Sequence, residues 1–356
     1  MKTIKKPLII VGVMVVLCSI LCVVVLLIDS HNEADMGKYR PVEYADLSNA
    51  VALVRNRELE DEILQYLKTQ YIEDELQAGF GTFDVFKRNG EIIRSDTSTL
   101  VDRNSISVLN TFYGVALSNI FQFDYNRKKT ETMIRQVLSE YDQSGHGNSL
   151  YEYALTEYAL VLLILETRYP LTKNEKKTLI ESANWGITQI EYDYDDCYTS
   201  LILAQFFCEV LKSLGASPDE ESTESIKVYL DQLIQKETCR NTSMLSEISI
   251  LYDCLELEKP VALANQIQEM RQDLLHRGGY SLSVASEEPD LVTTAKVLRT
   301  EECLDKAGLA SFLDTMNQDG IIGICDENTV LTSLRFYYYY VKLLCYTEYA
   351  NFAQTV

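Results

Sequence analysis

The feature that most constrains this chain is a helical-hairpin repeat. Six apolar segments begin near Asn104, Ser149, Asp196, Ser243, Asp290 and Asn328. They recur at a period of roughly 45 residues, long enough for one helix pair per repeat. Charged, amphipathic segments of helical length lie between them. A helix that is apolar nearly all round must be buried on most sides, whereas a helix with one apolar stripe buries only that stripe. Alternation of the two kinds predicts an all-α ring of hairpins, with an inner layer of buried helices and an outer layer of half-buried ones.

Local signals support this division. Residues 158–165 read Tyr-Ala-Leu-Val-Leu-Leu-Ile-Leu, and 201–210 are similarly apolar apart from Gln205 and Glu209. Outer segments carry one stripe, as Met133, Ile134, Val137, Leu138 and Tyr141 do at helical spacing. Helix starts are marked by Thr172 with Glu175, a capping box, and by Pro260. In Ser217-Pro218-Asp219-Glu220 the pattern predicts a cap at Ser217 and a proline at the first helical position. Residues 46–71 read as a helix broken near Asn56. Residues 79–99, with Gly79, Gly81 and Gly90, read as a long loop or a small hairpin.

The N-terminus predicts an address. Lys2, Lys5 and Lys6 precede residues 8–28, which carry no charge; Asp29, Glu33 and Asp35 follow. Such a run spans roughly 30 Å of hydrocarbon as a helix. The charge asymmetry puts the N-terminus in the cytoplasm and the bulk of the chain outside. The run ends Val-Val-Val-Leu-Leu-Ile without the small residues of a cleavage site, so an uncleaved signal-anchor is expected rather than a signal peptide. The expected organisation is a cytoplasmic tip and transmembrane anchor over 1–28, a juxtamembrane linker over 29–44, and an extracytoplasmic domain over 45–356.

The formal net charge of −21 argues against nucleic acid, because no basic patch exists to release counterions. The nine cysteines include no Cys-x-x-Cys pair and no zinc spacing. Two lie in the anchor and most of the other seven sit in apolar runs, where they read as small core residues.

The loops before the inner helices carry a resemblance. Gly278-Gly279-Tyr280 leads through Pro289-Asp290 to Thr293-Thr294-Ala295-Lys296-Val297-Leu298, and Asp319-Gly320-Ile321-Ile322-Gly323 leads to Thr329, Thr332, Ser333 and Leu334. This resembles the repeat of the terpenoid cyclase and protein prenyltransferase superfamily, also called the squalene-cyclase repeat. The resemblance implies an (α/α)6 toroid of helical hairpins around a central cavity, here preceded by one transmembrane helix. Asp193-Tyr194-Asp195-Asp196 resembles the Asp-x-Asp-Asp of class II terpene cyclases, which implies that Asp195 could protonate an alkene. Asp195-Asp196-Cys197-Tyr198 is similar to the aspartate and cysteine zinc ligands of the prenyltransferase branch, whose histidine falls on Thr293. Without that histidine no metal is expected, and no cofactor is implied.

Candidate site residues gather at the starts of the inner helices. Asp193, Asp195 and Asp196 are the tentative catalytic group, since three acids exceed what one helix cap needs. His146, flanked by glycines, and Tyr151, Tyr194, Tyr198, Asp290 and Asp326 are candidate ligand contacts. The simpler roles are helix capping for the acids, a flexible turn for His146 and core packing for the tyrosines. An acidic, tyrosine-lined cavity suits a cell-surface ligand (glycan, peptide or lipid) or a protein partner. A toroid-class enzyme is the alternative, glycan-acting through paired carboxylates or terpene-cyclase-like.

Overall fold

A computed structural model describes residues 57–81, 85–88, 91–94, 106–144, 149–194, 197–286, 288–299, 305–318, 321–325 and 329–352. The expected anchor and linker lie outside these residues. Among the described residues, no helix is long and apolar enough to cross a membrane.

The described chain is mostly helical. The helices are α1 (Arg57–Gln70), α2 (Val108–Phe121), α3 (Arg127–Ser144), α4 (Leu150–Thr167), α5 (Lys173–Thr188) and α6 (Cys197–Ser213). They continue with α7 (Glu220–Gln235), α8 (Met244–Cys254), α9 (Val261–Leu274), α10 (Leu291–Arg299), α11 (Lys306–Thr315) and α12 (Leu334–Phe352). The even-numbered helices follow one another in space as they do in sequence. Helix α2 packs on α4, α4 on α6, α6 on α8, α8 on α10, α10 on α12, and α12 back on α2. Helices α4 and α6 are buried along most of their length. By contrast α5 and α7 bury a single stripe, Leu179, Ala183 and Ile187 in one and Ile226, Tyr229, Leu230, Leu233 and Ile234 in the other. Helix α1 packs on α2, and Tyr66 stacks on Tyr337 of α12 at 4.6 Å.

Short antiparallel hairpins precede several inner helices. They are β1 (Tyr71–Glu73) with β2 (Ala78–Phe80), β5 (Leu275–His276) with β6 (Gly279–Tyr280), and β7 (Asn317–Gln318) with β8 (Ile321–Ile322). A four-stranded antiparallel sheet was not expected from the sequence. It orders β4 (Glu91–Arg94), β3 (Val85–Arg88), β10 (Thr329–Thr332) and β9 (Ile324–Cys325), and so joins the first repeat to the last. Strand β10 also moves the last inner helix. The helix expected near Asn328 begins at Leu334 instead, because the β-branched run at 329–332 pairs with β3.

One construction recurs where a hairpin meets its helix. The Phe80 backbone N–H donates to Thr111 Oγ1 at 3.0 Å, and the Phe80 carbonyl accepts from Ser107 N at 3.0 Å. The Tyr280 N–H donates to Thr294 Oγ1 at 2.9 Å, and its carbonyl accepts from Asp290 N at 3.2 Å. Thr111 and Thr294 are each the fourth residue of their helix. The fourth residue of α6, Ser200, accepts from Asp193 N at 3.2 Å and donates to the Glu191 carbonyl at 2.8 Å. The Thr/Ser of the sequence repeat is therefore a clamp between turn and helix. The glycines belong to the same device. Gly278 adopts φ +87°, and a Cβ there would come within 1.8 Å of the Gly308 carbonyl oxygen. A Cβ on Gly79 would lie 2.6 Å from Thr111 Oγ1.

Helix starts follow the sequence signals with one correction. The Thr172–Glu175 capping box is present, and Ser149 caps α4. Helix α7, however, is capped by Asp219, whose carboxylate accepts from Ser222 N at 2.7 Å, rather than by Ser217. Aspartate is as good a cap as serine, so Pro218 lies before the helix rather than at its first position.

The clamp predicts a stability effect. Thr294→Val keeps the side-chain shape and strands the buried Tyr280 N–H, a loss of about 1–3 kcal/mol. Thr294→Ser should retain most of the wild-type stability in urea unfolding. A loss in Thr294→Ser with none in Thr294→Val would show that the methyl group, not the hydroxyl, matters.

Candidate ligand site on the inner helices

The predicted site residues separate into three groups. Asp195, Asp196, His146 and Asp326 lie outside the described residues. Asp193 and Tyr194 lie against outer helix α7. Tyr229 of α7 donates its hydroxyl to the Asp193 carbonyl at 2.7 Å, and the Asp193 side chain is exposed. Tyr194 packs on the Tyr229 ring at 5.1 Å, with Lys236 Nζ 4.4 Å from its own ring centroid. Asp290 is a helix cap: its carboxylate accepts from Thr293 N at 2.8 Å. Tyr151 and Tyr198 form the third group.

These two tyrosines stay 41% and 43% exposed, whereas the run Tyr337–Tyr340 is buried throughout. Tyr198 of α6 feels the charges of Lys296 of α10, Glu247 of α8 and Arg335 of α12, and the phenol of Tyr151 of α4. Burial pushes its phenol above the ordinary value; Lys296 and Arg335 pull it down, while Glu247 and Tyr151 push it up. These charged and aromatic groups come from four other helices of the even-numbered succession and act on the phenol through their electrostatics. Glu247, itself buried, accepts from Lys296 Nζ at 3.1 Å through one oxygen, and its other oxygen has no hydrogen-bond partner among the described residues. The Tyr158 ring stacks on Phe206 at 4.7 Å, and Tyr151 meets the same ring at 6.3 Å. These contacts supply an aromatic wall between α4 and α6. On α12, Arg335 and Lys342 flank the Tyr339 ring at 5.8 and 5.6 Å, and their spacing places all three on one helix face.

A second layer lies farther along α6. Glu209, fully buried, accepts from Arg299 Nη1 of α10 at 3.2 Å. Glu209 is eleven residues beyond Tyr198, about 16 Å along the helix axis. Helices α6 and α10 are separated in sequence by all of α8, so this pair reaches across rather than along the succession. The two buried acids thus carry their own cations, Lys296 for Glu247 and Arg299 for Glu209.

The motif reading missed these charged residues. Their signal was present as interruptions of apolar runs: Glu209 within 201–210 and Lys296 within 293–298. Sequence periodicity says that such a residue is out of place, but not which distant residue neutralises it.

One further buried acid stands apart. Glu157 of α4 is fully buried, and neither carboxylate oxygen has a hydrogen-bond partner in standard geometry. Ser182 of α5 gives slight relief, but its hydroxyl is engaged by the Tyr153 phenol. Burial pushes the Glu157 carboxyl up to about 8.

Two predictions follow from these acids. The proton on Glu157 is held more tightly in the folded state, so its contribution is fully present below about pH 4.5. Stability then falls as pH rises through about 8. Glu157→Gln should match the wild type near pH 4.5 and exceed it at pH 8.5 by several kcal/mol, at roughly 1.4 kcal/mol per pKa unit. A pH-independent difference between the two proteins would contradict this. For the second layer, Arg299→Met removes the cation beside a buried carboxylate and should cost about 3 kcal/mol. The double variant Glu209→Leu/Arg299→Met should recover most of that loss in the same denaturant assay; additive losses would mean the pair is not coupled.

No family model matches this chain, and neither a curated protein nor a solved structure matches it.

Proposed function

We propose that the chain is a membrane-anchored, extracytoplasmic (α/α)6 toroid that binds a cell-surface ligand within its ring of inner helices. The closed succession of even-numbered helices supports the toroid reading, and α1 against α2 and α12 supplies the sixth outer helix. The uncharged run at 8–28, with lysines before it and acids after it, supports the address.

A single observation carries the binding reading: Tyr151 and Tyr198, near the starts of α4 and α6, keep 41% and 43% of their surface exposed, and Tyr198 feels the charges of Lys296, Glu247 and Arg335. Exposed aromatic faces beside fixed charges of both signs suit a polyhydroxylated ligand. The ring stacks on the apolar face of a sugar, and the charged groups accept from and donate to its hydroxyls. The proposed ligand class is therefore a glycan.

The arrangement favours binding over hydrolysis. Retaining and inverting glycosidases set two carboxyl groups roughly 5–10 Å apart. Here Glu247 and Glu209 are each held by a cation, Lys296 and Arg299, rather than standing free to face a glycosidic bond.

Cells that express the full chain and are offered a panel of fluorescent oligosaccharides provide the test. Intact cells should bind at least one member, and Tyr198→Ala or Tyr151→Ala should lower its affinity tenfold or more with surface expression unchanged. Binding that needs permeabilised cells would defeat the address. Binding indifferent to both tyrosines would defeat the site.

A further inference from the structure

Among the described cysteines, two face each other. Cys197 is the first residue of α6, and Cys239 lies in the turn between α7 and α8. Their sulfurs are 3.3 Å apart although the residues are 42 positions apart in sequence. Met244 Sδ lies 3.7 Å from Cys197 Sγ. Both cysteines are buried, Cys197 at 6% exposure and Cys239 at 1%. The backbone around them is held. Thr242 donates to the Cys239 carbonyl through both its N–H and its hydroxyl, at 3.1 and 3.0 Å. Ser200, one turn beyond Cys197, ties α6 to the Glu191 carbonyl and to Asp193 N. Elsewhere, Cys208 and Cys254 are buried in the core, and Cys345 contacts the Val341 carbonyl on its own helix.

We propose that Cys197 and Cys239 are a disulfide-forming pair that locks the start of α6, and with it Tyr198, to the α7–α8 turn. A disulfide needs sulfurs at about 2.05 Å and side chains aimed at one another. The second condition is met, and the first requires a side-chain adjustment of about 1.2 Å, which staggered rotamers and the flexible thioether of Met244 can absorb.

The co-reactant is a small-molecule disulfide such as oxidised glutathione. The Cys197 thiolate, the more exposed of the two, attacks one glutathione sulfur, forms a mixed disulfide and expels a first glutathione thiolate. The Cys239 thiolate then attacks Cys197 Sγ, forms the intramolecular bond and expels the second. The two protons released from the cysteines end on the two glutathione thiols, and two electrons pass to the glutathione disulfide. Burial and the mutual thiol contact push the Cys239 thiol up, so the thiolate forms only as the exchange proceeds. An extracytoplasmic address would favour the oxidised form. The pairing itself rests on the sulfur geometry, not on the ligand-binding reading.

Because Cys197 adjoins Tyr198, oxidation constrains one wall of the proposed site. The bond closes a long loop and restricts the unfolded chain, so the oxidised protein should melt several degrees higher than the reduced one.

The test uses the full chain in detergent micelles, held with oxidised or reduced glutathione, then denatured, alkylated with iodoacetamide and digested. After oxidation, the Cys197 and Cys239 peptides should appear unlabelled and cross-linked to each other, while Cys208, Cys254 and Cys345 take up label. Dithiothreitol should restore label at both. Cys197→Ser should leave Cys239 labelled or carrying glutathione, and Cys239→Ala is the companion variant should that protein fail to fold. Full labelling of both cysteines after oxidation would overturn the proposal, as would pairing of either with another cysteine. Protection reversed by a copper(I) chelator without any reductant would also overturn it, since the Cys197–Cys239–Met244 cluster would then hold a soft metal ion.

Discussion

The fold depends on how a buried turn is joined to a buried helix. Each inner helix begins where the chain turns inward, and the backbone N–H groups of that turn must find acceptors away from water. Thr111 meets this demand in both directions. Its hydroxyl donates to the Ser107 carbonyl within its own helix at 2.7 Å and accepts from Phe80 N of the preceding strand at 3.0 Å. A hydroxyl can do both at once, which neither an amide donor nor a carboxylate can. Threonine is a modest helix former, so its place in the first turn costs little, while the alternative is an orphaned amide in the core. The same logic requires glycine opposite the clamp. The strand approaches the helix so closely that a Cβ at Gly79 would collide with the hydroxyl that holds it.

This device explains what the sequence does and does not disclose. The repeat spacing, the apolar runs and the caps are local signals, and they place five of the six inner helices close to their observed starts. The resemblance motif Gly-Gly-Tyr, Pro-Asp, Thr is also local, and each of its residues has a structural task. Gly278 takes the left-handed turn, Asp290 caps α10, and Thr294 clamps Tyr280. These motif residues therefore report the architecture. The four-stranded sheet was not visible, because it pairs residues 85–88 with 329–332 and no local pattern encodes a partner so far away.

The candidate site was hidden for the same reason. Tyr151 and Tyr198 could be singled out because they lie at the mouths of inner helices. Glu209 and Arg299 could not, because a charge within an apolar run is only half of an observation. The other half lies 90 residues away. Of the three neighbouring acids only Asp193 lies among the described residues; it is exposed, and its backbone bonds to Tyr229 and Ser200, contacts that no sequence pattern announced.

Helix α10 is where these threads meet. It is the shortest described helix, nine residues long, and it supplies the cation of both buried pairs, Lys296 to Glu247 and Arg299 to Glu209. The two cations are three residues apart, about 4.5 Å along the axis, so they move as one body. A buried ion pair is sensitive to displacement, since the desolvation of each charge is offset only while its partner is in place. A ligand that drew Lys296 toward itself would have to compensate Glu247. Any shift of α10 that accompanied this exchange would strain the contact between Arg299 and Glu209 in the deeper layer. Closely packed helices yield little elsewhere, because cores are close to crystal density. Both buried pairs therefore hang on one short rod held at its start by Asp290 and Thr294.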